Sequence, residues 1–483
     1  MGMNALRDVR TITFNSREAQ AGDVFVAIRG EKADGHKFLP EVCKLDLAGV
    51  VVEEASQVPE NFNGAVLIVP DTRQALGPLA ARFYGDPAAS LFCVAVTGTN
   101  GKTSTTYLIE HILNHFGMKT GVIGTINHHI GDHVWPSELT TPDAVTLQKR
   151  LREFIALGGR ALVMEVSSHA LEQRRVDGLP FEAMVFTNFS REHLDYHKSM
   201  TAYFEAKQRL FNELPTQFSD RKVTAILNAN DEAVSQTQLA GNVHRLTFGE
   251  VKADFQFQVL EMAYSHTRFR LSSARGVSEI ELPLPGRHNV YNAVAAIAVG
   301  IAAGASLETI VNSLKTFRGV PGRLERVENS RGRDVFVDYA HKPEALKEVL
   351  GLLSHIRKSA HLKSRLITVF GCGGDRDKGK RPIMGQIAVE NSDFVVVTSD
   401  NPRSEAPHEI IKEILNGVPN ETLDRTVFVE ADRKKAIQKA LEISAPGDVI
   451  LIAGKGHEDY QIFQNQKITF SDVNVARGLL DAM

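Results

Sequence analysis

Five short apolar runs in the last third of the chain, residues 335–337, 366–370, 394–398, 427–429 and 449–452, alternate with stretches that read as helix. Strands separated by helices predict a doubly wound, mostly parallel α/β sheet of Rossmann-like type. Such sheets bind ligands at the carboxyl ends of their strands, so the residues expected at a site are Asp338, 371–377, 400–403 and 454–458. The same alternation recurs upstream. Runs at 23–28, 48–53 and 65–69 predict a small N-terminal α/β unit, closed by Tyr84-Gly85-Asp86-Pro87. A run at 91–96, a glycine-rich loop and a helical stretch over 102–116 then open a central block, and Gly319-Val320-Pro321-Gly322 reads as a linker. A chain of 483 residues is long enough for about three domains, expected over 1–88, 89–322 and 323–483.

Composition removes several function classes. Lys and Arg total 55 against 58 Asp and Glu, so no broad positive field holds a nucleic acid, and an anionic ligand must be met by local clusters. Three cysteines without CxxC spacing fit a reducing cytoplasm. The longest uncharged apolar stretch, 293–305, has 13 residues where a bilayer needs about 20, and predicts a buried helix rather than a membrane span. The start of the chain shows no basic region followed by an apolar run, so export is not expected.

The most specific motif is Thr97-Gly98-Thr99-Asn100-Gly101-Lys102-Thr103-Ser104, between a predicted strand and a predicted helix. That context lets backbone N–H groups and a helix N-terminus cradle phosphates, with Lys102 on the β/γ oxygens and the Thr103 hydroxyl on Mg²⁺. Val96 stands where the general pattern has its first glycine. Glu165 ends the apolar run from Ala161, as a metal partner or as a strand-end surface charge. His193 and His197 are four apart and could share a helix face, but no third ligand has zinc spacing. Lys207, in a helical stretch, reads as a solvated lysine. Asn228, Asn230 and Asp231, then His288, Asn289 and Asn292, could read a purine edge or cap loops and helices.

Taken together, Gly98–Thr103, Glu165-Val166-Ser167-Ser168-His169, Asn289 and Asn292, Asp338-Tyr339-Ala340-His341 and Gly454-Lys455-Gly456-His457-Glu458 occur in the order that resembles the Mur ligases of peptidoglycan synthesis. The resemblance spans essentially the whole chain. The run from Gly371 to Pro382 and Asp400-Asn401-Pro402-Arg403 look like the branch that adds the third stem-peptide residue, in its meso-diaminopimelate form rather than its L-lysine form.

The resemblance implies a uridine-binding N-terminal domain, a central ATPase domain and a C-terminal amino-acid domain. ATP would be held by Gly98, Thr99, Asn100, Gly101, Lys102, Thr103, Ser104, Asn289, Asn292, Arg323, Asp338 and His341. Mg²⁺ would meet Thr103, Glu165, His193 and Lys207, the last carbamylated by CO₂, with Lys102, Lys207 and His193 catalytic. Ser16, Thr140, Thr141, Ser167 and Arg175 would contact the UDP-muramoyl dipeptide; Arg376, Asp400, Asn401, Pro402, Arg403, Gly454 and Glu458 would hold diaminopimelate. Asn15 and Lys342 depart from the family's usual Asp and Thr. The implied reaction phosphorylates a D-glutamyl carboxylate, and the amine then displaces phosphate from the acyl phosphate. A monomer acting on small molecules is expected. The rivals are ligation of L-lysine, a folylpolyglutamate-type ligase sharing the phosphate loop, and, from another class, a nucleotide-dependent switch.

Overall fold

The computed structural model describes residues 9–30, 33–361, 363–464 and 466–483. They form two compact units, one running up to Phe257 and including Leu271–Val277 and Tyr291–Ser313, the other formed by Gln258–Arg270, Ser278–Val290 and Leu314–Met483.

The first unit holds two sheets. Ile12–Thr13, Val24–Val26, Gly49–Val52 and Ala65–Ile68 form a parallel sheet in chain order, around a core of Phe25, Leu39, Val50 and Val52. The helix Thr72–Phe83 follows, capped by Asp71, whose carboxylate accepts from Gln74 N. At Gly77 the helix comes so close to Asp177 that a Cβ would lie 2.2 Å from the Asp177 carbonyl oxygen. In the second sheet Val243–Gly249, Val223–Asn228, Ala183–Phe186, Phe92–Thr97, Ala161–Glu165 and Thr120–Ile123 are neighbours and run parallel. Asn127–Ile130 and His133–Pro136 add an antiparallel edge. Most of the apolar stretch at 293–305 lies in the helix Arg287–Ala302, whose residues from Ala293 to Val299 are fully buried. Gly304, at φ +94°, turns the chain after it.

In the second unit the sheet order is Glu325–Arg326, Asp334–Asp338, Val449–Ala453, Leu366–Phe370, Phe394–Val397, Val427–Val429, parallel except for the first short strand. Each expected run is present, with no end shifted by more than one residue. Buried on both faces, these strands are continuous apolar runs rather than alternating ones. The stretch read as a linker ends in a packed turn. Gly322, at φ +66°, donates to Glu325 Oε2 at 2.7 Å, and a Cβ there would lie 2.0 Å from His457 N. Among the described residues no helix is long and apolar enough to cross a membrane.

Two histidines give the fold an acid limit. Desolvation holds buried His128 and half-buried His457 at about 4 instead of 6.5, helped at His128 by Arg150 and at His457 by Arg323. The unfolded chain takes up these protons first, so their contribution is complete above pH 6.5 and is lost as the pH falls toward 4. Thermal melts should decline across that window, and His128→Phe, a ring of similar size, should remove part of the slope. A melting temperature constant from pH 6.5 to 4 would contradict this.

Candidate active site

The strand Phe92–Thr97 delivers the chain into the glycine loop, and the helix Lys102–His115 leaves it. Both glycines are needed by close approach. Gly98 lies at φ +145°, where a Cβ would meet Thr187 Oγ1 at 1.9 Å, and Gly101 lies at φ +83°, where it would meet Asn292 Oδ1 at 2.5 Å. The loop is held from outside. Asn188 accepts from Thr99 N through its carbonyl at 2.9 Å and from Asn100 N through Oδ1 at 2.8 Å, while Thr187 Oγ1 donates to the Asn100 carbonyl at 2.6 Å. Thr99 Oγ1 lies 3.2 Å from Tyr203 Oη, and Thr105 Oγ1 donates to Asn292 Oδ1 at 3.3 Å.

Glu165 is no surface charge. It is 1% exposed, accepts from Thr103 Oγ1 at 3.0 Å and from Thr125 N at 2.9 Å on one oxygen, and from Thr125 Oγ1 at 3.1 Å on the other. Thr140 Oγ1 lies 3.0 Å from Thr125 Oγ1. Thr141 Oγ1 donates to the Glu165 carbonyl at 2.9 Å and accepts from Ser167 N at 3.0 Å, and Arg175 Nη1 donates to the Thr141 carbonyl at 2.9 Å. Thr140, Thr141, Ser167 and Arg175 thus form one hydrogen-bonded group with the strand-end carboxylate.

Lys207 is no solvated lysine either. It is 1% exposed on the helix Met200–Asn212, and its Nζ donates to the Gly98 carbonyl at 3.0 Å. Lys102 Nζ donates to the same carbonyl at 2.9 Å. Burial, with the Lys102 charge adding to it, pushes the Lys207 amine well below the usual lysine range. His193, though exposed, is held at about 4 by partial desolvation together with His169, Lys102 and Lys207 nearby. His193 does not share a helix face with His197: it is the cap residue, at φ +57°, of the short helix Leu194–His197. His197 is engaged by Ser168 Oγ at 2.9 Å and Glu172 Oε2 at 3.1 Å. Asn228 and Asp231 do structural work, Asn228 donating to the Thr187 carbonyl and Asp231 capping the helix Glu232–Ser235. Asn289 Nδ2 donates to the Pro285 carbonyl at 2.8 Å. Ser16 is half-buried after the strand Ile12–Thr13.

In the second unit a cavity of about 750 Å³ opens at the carboxyl ends of the parallel strands. Its lining includes four cationic side chains, Lys342, Arg376, Lys380 and Arg403, and four anionic ones, Glu344, Asp377, Asp400 and Glu458. His341, Asn401 and Gly454 also line it. Gly371 and Gly374 let two loops touch, since a Cβ would lie 2.2 Å from the Thr398 carbonyl oxygen and 1.9 Å from that of Pro402. Arg403, at φ +52°, donates through Nη1 to the Gly374 carbonyl at 2.8 Å. Neither its Nε nor its Nη2 donates to a protein acceptor among the described residues. Arg381, fully buried, ties Glu405 to the Gly373 carbonyl and holds the Glu405 carboxyl down at about 2. Asp338 accepts from Leu324 N and Ala340 N, and burial raises its pKa.

Strand, glycine loop, helix and strand-end carboxylate have the arrangement of a phosphate-binding α/β protein. Residues 8–84 match the Mur ligase family catalytic domain, 96–300 the Mur ligase middle domain, and 322–456 the Mur ligase glutamate ligase domain. The UDP-N-acetylmuramoyl-L-alanyl-D-glutamate--2,6-diaminopimelate ligase of Geobacter metallireducens is 41% identical over 480 residues, covering 96% of this chain and 93% of the relative. That of Thermosynechococcus vestitus is 42% identical, covering 98% and 93%. A solved structure of a ligase of the same name superposes with a TM-score of 0.73 at 33% identity, covering 98% of this chain and 95% of that one. The chain belongs to the Mur ligase family. The fold is shared more widely: the folylpolyglutamate synthase of Mycobacterium tuberculosis superposes with a TM-score of 0.63 at 20% identity, covering 85% of this chain and 95% of that one.

Proposed function

We propose that this chain joins an amine of meso-diaminopimelate to the D-glutamyl carboxylate of UDP-N-acetylmuramoyl-L-alanyl-D-glutamate, using ATP, in cytoplasmic peptidoglycan precursor synthesis. The relatives that match nearly the whole chain carry the name of this activity, which supports the reading. The observation that carries the choice of amino acid is the cavity lined by four cationic and four anionic side chains. Meso-diaminopimelate, with two carboxylates and two ammoniums, is a ligand that such balanced walls suit.

ATP phosphorylates the glutamyl carboxylate, and the free amine attacks the acyl phosphate carbon, expelling phosphate. Lys102 offsets charge on the β/γ oxygens, the loop N–H groups hold the phosphates, and Thr141, Ser167 and Arg175 orient the muramoyl dipeptide. The donor chemistry fits a magnesium ion: the Thr103 hydroxyl and Glu165 carboxylate are hard oxygen donors, and His193 is held neutral. When bound, Mg²⁺ supplies charge neutralisation at the transferring phosphoryl group. Among the described residues no group of three His, Cys, Asp or Glu side chains suited to a metal gathers, and one further anionic donor would add to Glu165. Lys207 fits that role. Burial lowers the pKa of its amine and so favours the uncharged form that can attack CO₂, forming an N–C bond and releasing a proton, which leaves a carbamate anion. The N-terminal domain, with Ser16, takes the uridine end, in a monomeric enzyme.

The test is the mass of the product formed from ATP, Mg²⁺, the UDP-muramoyl dipeptide and diaminopimelate. L-lysine lacks the far carboxylate and would leave Arg403 unpaired, so wild type should prefer diaminopimelate by about 10²-fold or more. Arg403→Ala should reduce that preference mainly through loss of diaminopimelate kcat/KM. Preference for lysine in wild type, or unchanged discrimination in the variant, contradicts the assignment.

A further inference from the structure

Lys455 is a fully buried ammonium that does not itself line the cavity, yet it touches three residues that do. Its Nζ donates to Glu458 Oε2 at 3.1 Å and to Asn401 Oδ1 at 3.3 Å, and lies 5.3 Å from the centre of the Tyr460 ring. Asn401 Nδ2 donates to the same Glu458 oxygen at 2.7 Å. Two donors therefore occupy Oε2, and among the described residues Oε1 receives none. Asn401 Oδ1 also accepts from Ile462 N at 3.0 Å, and Arg403 N donates to the Ile462 carbonyl at 2.9 Å. One buried cation thus sits at the junction of the 400–403 loop, the 454–458 loop and the strand Tyr460–Phe463.

We propose that Lys455 is the positioning and specificity-determining residue for the ammonium end of the amino-acid substrate: it fixes Glu458 by one oxygen and leaves the other to accept from the substrate. This rests on the cavity being the diaminopimelate site. A carboxylate with a buried counter-ion keeps its charge and its direction, whereas one deprived of it takes up a proton or rotates. Either change removes the acceptor that a substrate ammonium needs, without touching ATP or the muramoyl dipeptide.

The experiment compares wild type with Lys455→Met, Glu458→Gln, the double variant and Arg403→Ala, reading KM separately for all three substrates. Each single change at 455 or 458 should raise KM for diaminopimelate about 10- to 100-fold, the worth of one charge-assisted contact. KM for ATP and for the dipeptide should stay within about twofold. The double variant should be no worse than the poorer single one, because Lys455 acts through Glu458. If Lys455→Met does not fold, Lys455→Gln, which keeps an N–H donor without the charge, takes its place. An equal rise in all three KM values, additive losses in the double variant, or a loss of melting temperature alone would overturn the proposal. Unchanged diaminopimelate KM in Arg403→Ala would bring down the reading of the cavity and this inference with it. A rise there without one in Lys455→Met overturns only the inference.

Discussion

Lys207→Ala is expected to lower ATP-dependent ligation about 10³-fold, and a short carboxylic acid such as acetate or formate should restore part of it. The lost carbamate is a metal-binding anion beside the phosphoryl group, and several kcal/mol of transition-state charge stabilisation, about 4, corresponds to that factor. The small acid enters the space left by the side chain and replaces the anion. Rescue separates this from damage to the fold, because Lys207 is buried and its removal also leaves the Gly98 carbonyl short of a donor. Phosphate release, circular dichroism and an acid titration decide it. Full activity, or loss in a folded variant that no acid relieves, would remove the carbamate from the mechanism.

The largest effect on stability is expected at a pair shut off from water. Arg433 and Asp472 are both fully buried and meet through two parallel hydrogen bonds of 2.7 Å. The same guanidinium donates to the Ala453 carbonyl at 3.0 Å and the Ser399 carbonyl at 3.3 Å, immediately before Gly454 and Asp400. Asp472→Ala leaves a buried cation without its anion, which costs about 3–5 kcal/mol. For a unit of this size that lowers the melting temperature by about 10 °C. Replacing both partners, Arg433→Met with Asp472→Leu, should recover most of the loss, since an apolar pair of similar volume leaves no charge stranded. Thermal and urea unfolding of wild type and the two variants measure this. A loss below about 1 kcal/mol in Asp472→Ala would mean that water reaches the pair.

The phosphate loop was legible because its signal is contiguous: glycines, lysine and threonine stand together between an apolar run and a helix. The C-terminal sheet was legible for a related reason, since a strand buried on both faces is an unbroken apolar run. Charged groups were harder. Glu165 and Lys207 look like surface residues until partners from distant segments close around them, Thr125 on one and the Gly98 carbonyl on the other. Thr187 and Asn188 follow a strand whose last residue, Phe186, pairs with Thr97. The rule that sites form at carboxyl ends would have found them once that pairing was known. Tyr203, Arg381 and Lys455 act from behind the residues they support, and no local spacing reveals such a role. The glycines and proline at 319–322 lie between the residues that match the middle and the glutamate ligase domains, and Gly322's approach to His457 packs the end of that stretch.

Gly454 sets a limit on how the cavity can change. It forms part of the wall, lies at φ +114°, and any Cβ there would come within 2.6 Å of Asp400 Oδ2. Any side chain therefore meets both an unfavourable backbone region and a carboxylate already in place. An inhibitor that rests on this stretch of bare main chain would be hard to escape by mutation. Resistance would have to arise at residues around it, at the expense of the polar groups proposed to hold the natural amino acid.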